Sequence, residues 1–255
     1  MYERNFRKTF ITAAFVYRKA TLSVSSKLLE KNKIFSAIDE SKRRKLEDLT
    51  GLLRQWNKIV NLISRKDIEN LDNHHILPCL ALNAVIPLVG GESVCDVGTG
   101  GGLPGLPLAI LNPQSQFTLI DSNKKKIDIV KNFALDLQLN NVICIAGRAE
   151  AHTKRYDFLI GRAVSNLPNF LQFSAHLADL KSHVYNLNSL GIALGPGLFY
   201  IKGGEFSNEI KDAGLKQTQL FSVQKIANVE SDKSVLYVPS MELGNFLVRQ
   251  FKKRY

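Results

Sequence analysis

Of 255 residues only three are cysteine, one is tryptophan and two are methionine. Cys79, Cys95 and Cys144 form no C-x-x-C pair and have no histidine at ligand spacing. That excludes a disulfide framework and a zinc site of the common kinds, so no metal is expected and a reducing compartment is. Cys95 and Cys144 sit in apolar runs, where cysteine behaves as a small core residue. Nowhere does the chain run to the roughly 18 consecutive apolar residues of a membrane-spanning helix, so it reads as soluble, with no membrane partner. Acidic side chains are the scarcer charge, 23 against 34 basic, and the shortfall is local: residues 1–66 hold 16 basic and 6 acidic side chains, residues 67–255 hold 18 and 17. A one-sided positive field of that kind suits a polyanion such as nucleic acid. An apolar content of 45% with 22% charged residues is ordinary for a globular chain and excludes wholesale disorder.

Residues 1–38 are basic, hydroxyl-rich and almost free of acid, with Glu3 and Glu30 alone against Arg4, Arg7, Lys8, Arg18, Lys19, Lys27, Lys31 and Lys33. That composition is expected of an organellar transit peptide, mitochondrial or plastid. The competing reading is a basic helix kept on a cytoplasmic protein. Three segments follow: the extension 1–38, a helical segment 39–90 and a main domain 91–255. From Ser36 to Leu62, Leu46, Leu49, Leu52, Leu53, Trp56, Ile59 and Val60 recur every three or four residues, the period of an amphipathic helix. Lys42, Arg43, Arg44, Lys45, Arg54 and Lys58 occupy its other face, either as a solvated surface or as the start of an RNA-binding one. A second helix spans Ile76–Ile86, preceded by His74 and His75, adjacent residues that cannot both face one metal.

Beyond Ser93 short apolar runs alternate with helical stretches. Ser93–Val97, Gln116–Ile120, Asn141–Ala146, Asp157–Gly161 and Gly197–Ile201 read as buried strands, separated by helices at Pro104–Leu111, Lys124–Leu137 and Leu167–Leu180. Strand and helix in alternation predict an α/β fold, a mostly parallel sheet with helices on both faces and an N-terminal helical extension. Leu220–Ala227, Ser234–Val238 and Asn245–Phe251 are expected to close the sheet as strands, at least two of them antiparallel.

The most informative stretch runs from Val94 to Gly105. Gly100, Gly102 and Gly105 satisfy the dinucleotide pattern G-x-G-x-x-G, while Asp96, Gly98, Gly100 and Gly102 satisfy the D-x-G-x-G-x-G of enzymes using S-adenosylmethionine (SAM). An acid just before the loop would repel a pyrophosphate, whereas it favours a ligand carrying a sulfonium and an ammonium. Asp96 therefore tips the balance toward SAM. Asp121 closes the next strand 23 residues past Gly98, a spacing suited to an acid that accepts from ribose hydroxyls.

At these residues the chain resembles the ribosomal RNA small-subunit methyltransferase G family, also called glucose-inhibited division protein B. The resemblance covers about residues 45–205. It rests on Trp56-Asn57 with Asn61-Leu62, on His75-Ile76-Leu77, on Asp96 through Ile110 with its Leu-Pro-Gly-Leu-Pro-Leu run, and on Leu119-Ile120-Asp121-Ser122. It continues through Arg148-Ala149-Glu150, Arg162-Ala163 and Ile201-Lys202-Gly203. It implies a Rossmann-like SAM-dependent methyltransferase fold and methyl transfer from SAM to N7 of a guanine in small-subunit (16S-type) ribosomal RNA, by a monomer. It also implies that Gly98, Gly100 and Leu103 are SAM-binding positions of the loop and Asp121 the ribose acid. By the same resemblance Ala149 and Glu150 are expected to lie beside the adenine, Arg162 to orient substrate or the SAM carboxylate, and Lys202 to face rRNA. Guanine N7 loses no proton on methylation, so no catalytic base is assigned. The chain departs from the family at Pro78-Cys79, where Asp-Ser is usual, and in extra length at 183–196. Two rivals are an NAD-linked oxidoreductase, which would need a hydride-transfer histidine, and a non-catalytic ribosome-assembly protein with a retained SAM pocket.

Overall fold

The computed structural model describes residues 33–181 and 184–254. The proposed targeting peptide thus falls outside the described residues, apart from its last few. Five parallel strands make the body of the sheet: β1 (Ser93–Val97), β2 (Gln116–Asp121), β3 (Val142–Ala146), β4 (Phe158–Arg162) and, after a small hairpin of β5 (Asn186–Leu187) with β6 (Ala193–Leu194), β7 (Gly197–Gly203). β8 (Gln219–Ser222) and β9 (Lys233–Pro239) complete seven strands in the order β3-β2-β1-β4-β7-β9-β8, with β9 antiparallel to both of its neighbours. The chain starts in the middle of the sheet, winds outward to β3, then crosses to the other side at β4. That reversal opens a crevice beyond the carboxyl ends of β1 and β4, where open α/β sheets bind ligands.

Along each strand successive side chains belong to opposite cores, as a pleated ribbon covered on both faces requires. Val94, Phe117, Leu119, Ile160 and Phe199 point to one, Cys95, Ile120, Leu159, Leu198 and Tyr200 to the other. The first core is closed by α1 (Glu40–Asn57), α2 (Leu77–Val85), α3 (Gly105–Leu111) and α4 (Lys124–Asp136). The second is closed by α5 (Leu167–Ser174), α6 (Ser207–Asp212) and α8 (Ser240–Arg254). Phe35, fully buried in the first core, lies in the stretch that composition assigns to the extension. Cys95 is buried as expected, but Cys144 on the edge strand β3 is only half-buried.

Several boundaries differ from the sequence reading for identifiable reasons. α1 begins where Asp39 accepts from the Lys42 N–H and ends where the Asn57 carboxamide takes the N–H groups of Leu62 and Ile63. The helix expected through Leu180 stops at Ser174 and tightens into a 3₁₀ turn. In the tail, only Gln219–Ser222 of the run through Ala227 is strand. Ser222 then accepts from the Lys225 N–H and opens α7 (Val223–Ala227). Asn245–Phe251 is no strand but the middle of α8, because Leu243 and Phe246 are buried and Leu247 packs against the same core at helical spacing, while Val248 and Phe251 face outward. Of the extra length near 183–196, the described residues 184–196 carry the β5–β6 hairpin, anchored by a 2.8 Å hydrogen bond from Asn188 Nδ2 to the Val85 carbonyl.

Candidate cofactor and acceptor site

β1 ends in Asp96-Val97 and turns at once through Gly98, whose φ of +73° and whose Gly98 Cα, pressed against Val164, admit no side chain: a Cβ there would stand 2.8 Å from Val164 Cγ1. Gly100 also has positive φ, and a Cβ on it would meet nothing within 4 Å among the described residues, so this part of the loop borders open space. Two carboxylates hold the loop from below. Asp96 Oδ2 accepts from Thr99 Oγ1 at 2.6 Å and from the Gly105 N–H at 2.9 Å, tying the strand end to the first residue of α3. Asp121 Oδ2 accepts from the Gly100 N–H at 2.8 Å and its Oδ1 from the Asn123 N–H at 2.8 Å.

Asp96 is fully buried. Burial raises its pKa to about 6, opposed by the hydrogen bonds from Thr99 and Gly105 and by the Arg162 charge. Its second oxygen, Oδ1, is buried with no hydrogen-bond partner among the described residues. The sequence reading gives this carboxylate to the cationic ligand; the structure gives one of its oxygens to the loop.

The remaining expected residues lie along the same sheet edge. Leu103 turns its side chain into the core, so its position offers main chain only, and its N–H bonds the Thr99 carbonyl at 3.1 Å. Ala149 and Glu150 form a 3₁₀ turn beyond β3, Ala149 buried and Glu150 exposed, next to the Asp121 end of β2. Arg162 closes β4. Lys202 is engaged by Glu209, whose other oxygen accepts from the Leu167 N–H at 2.7 Å and so caps α5.

Sequence reasoning missed what holds Arg162. Its Nη1 donates to His75 Nδ1, and His75 Nε2 donates to Asp67 Oδ2 at 2.5 Å. An arginine N–H only donates, so Nδ1 accepts and the proton of His75 sits on Nε2. Burial first and the Arg162 charge second push the His75 pKa down to about 4, in keeping with a neutral ring. Asp67 Oδ1 meanwhile takes His74 Nδ1 at 2.5 Å. Adjacent histidines converge on one carboxylate in a π-helical turn, Asp72–Ile76, wider than an α-helix and ahead of the helix that the sequence starts at Ile76. Asp67 lies in a stretch with no motif to mark it; His75 is marked only by the resemblance. Arg162 Nε is buried and has no partner among the described residues.

These features suit a ligand of the SAM type: an open stretch of loop at Gly100, a buried acceptor oxygen at Asp96, an acid at the end of β2, and a half-buried arginine whose Nε has a donor to spare among the described residues. Gly98, Gly100, Asp121, Ala149 and Glu150 would hold it along the crevice.

The family model for rRNA small subunit methyltransferase G matches residues 42–189. A relative of that name from Flavobacterium johnsoniae is 37% identical over 81% of this chain and 95% of its own length. Another, from Christiangramia forsetii, is 36% identical over 83% of this chain and 97% of its own. Among solved structures, a SAM dependent methyltransferase from Aquifex aeolicus gives a TM-score of 0.49 at 17% identity, covering 69% of this chain and 97% of that one. The matched span takes in the glycine loop, the paired histidines and the β4 arginine, and the relatives are matched along nearly their whole length, so the chain belongs to the rRNA small subunit methyltransferase G family.

Proposed function

We propose that the chain, as a monomer, transfers a methyl group from SAM to N7 of a guanine in small-subunit rRNA. The cofactor supplies an electrophilic methyl on a sulfonium. The N7 lone pair forms the new N–C bond as the C–S bond breaks; the positive charge passes to the purine and no proton moves. One observation carries the choice of acceptor. Neither His75 nor Asp96 is free to take a proton from an acceptor: His75 has both nitrogens engaged, and Asp96 is buried beneath the loop with one oxygen taken by Thr99 and the Gly105 N–H. An acceptor that needs no base suits such a site, and its rate must come from alignment and from fixed charge. Arg162, held by His75, is placed to fix the cofactor's carboxylate or the acceptor.

Mapping of N7-methylguanosine in small-subunit rRNA before and after depletion tests this. The expected result is loss of the mark at one guanine, restored by the wild-type gene. An unchanged map, with SAM still bound by the purified chain, would favour an assembly protein without turnover. SAM is expected to raise the melting temperature and NAD to leave it unchanged. The basic, acid-poor composition of residues 1–38 supports an organellar address, which a reporter fused to that segment would reveal.

A further inference from the structure

Beside this crevice lies a cleft of about 530 Å³ between the π-helical turn and the connection into β9, lined by Asn73, His74, Val229, Glu230, Asp232 and Lys233. Its volume is in the range of small-molecule sites. It belongs to the carboxyl edge of the sheet. Lys233 pairs with Gly203 at the end of β7, and a Cβ on Gly203 would come within 2.7 Å of Asp232 Oδ2, so this carboxylate stands over the strand next to β4. His74 forms another wall, and its neighbour His75 is the residue bonded to Arg162.

The chemistry of the lining selects an occupant. The wall carries two carboxylates, Glu230 and Asp232, against one ammonium, Lys233, and in a nucleic-acid enzyme that excess of acceptors asks for hydrogen-bond donors where a phosphate cleft would hold an excess of cations. Among the four RNA bases guanine alone presents two donors side by side on one edge, N1–H and the N2 amine, which a single carboxylate accepts together. N7 lies on the purine's other edge and stays free. His74, with 42% of its side chain exposed and its Nδ1 held by Asp67, offers a fixed ring to stack on.

We propose that this cleft receives the acceptor guanine, turned out of the RNA, with Asp232 accepting from N1–H and the N2 amine and the His74 ring against the base. The proposal rests on the N7-methyltransferase reading above. Asp232 is exposed, so its variants are expected to melt with the wild type. Asp232→Asn and Asp232→Ala should leave SAM affinity within about twofold and lower kcat/KM on unmethylated small-subunit rRNA by about ten- to a hundredfold, the scale of one bidentate base contact. Inosine at the mapped position keeps N7 but lacks the N2 amine. The wild type should lose about tenfold on that RNA, and Asp232→Asn should show no further loss. Wild-type rates in both variants, or an inosine penalty undiminished by Asp232→Asn, would overturn the cleft assignment and leave the N7 reading intact. A wild-type protein that binds SAM yet methylates no guanine would overturn the reading itself, and the cleft with it.

Discussion

Against the pull of Asp67, burial and after it the Arg162 charge keep the His75 ring neutral. Its pKa of about 4 lies below the ordinary 6.5, so between those values the unfolded chain binds a proton the native chain refuses. Stability from this residue is complete above pH 6.5 and is lost as the pH falls toward 4. Asp96 runs the other way: with a pKa raised to about 6 from 3.8, its buried charge costs stability as the pH rises through that window. Urea unfolding from pH 4 to 7 should therefore show the advantage of wild type over His75→Gln widening upward from pH 4 and levelling near 6.5. The advantage of wild type over Asp96→Asn should shrink from pH 4 to 6. Parallel curves for either variant would contradict these environments. Asp96 was legible in the sequence as a site residue, since an acid at a strand end before glycines is a visible pattern. Its use was not, because only the folded loop shows Thr99 and the Gly105 N–H returning to Oδ2.

At the level of elements, the turn after β1 and the end of β4 constrain each other through Gly98 and Val164. Gly98→Ala adds a Cβ 2.8 Å from Val164 Cγ1 on a backbone at φ +73°, two separate costs, together about 2–4 kcal/mol. Val164→Ala in the same chain should recover the steric share and leave the backbone share, a coupling that a double-mutant cycle of denaturant midpoints would read. Zero coupling would mean that the loop moves aside instead. The parallel strands were readable from sequence because strands buried on both faces appear as unbroken apolar runs with helices between them. The tail was not: Asn245–Phe251 is a short apolar run, compatible with either period, and its helical register shows only when Leu243 is counted with Phe246 and Leu247. The π-helical turn was equally hidden, since no spacing rule distinguishes Asp72–Ile76 from the start of an α-helix.

On the scale of the whole molecule, the N-terminal helical segment is not an appendage but one wall of the first core. Leu46, Leu49 and Leu53 are buried with Leu106 and Leu108, and Phe35 is buried among them. Phe35→Ala should cost about 3 kcal/mol, and a chain beginning at Asp39 should be destabilised at least as much, both measurable by urea unfolding. A truncated chain as stable as the full one would detach that segment from the fold. Composition placed the boundary at residue 38 because charge is visible in a sequence and burial is not. The basic face of α1 is similarly less open than it reads: Lys42 pairs with Asp39, and Arg43 and Arg44 pair with Glu40.

Asp67 gives one oxygen to His74 in the cleft and the other to His75 under Arg162. A guest that tilts the outer ring pulls on the same two-toothed peg that sets the inner one. The two chambers thus share a single short side chain as a common post.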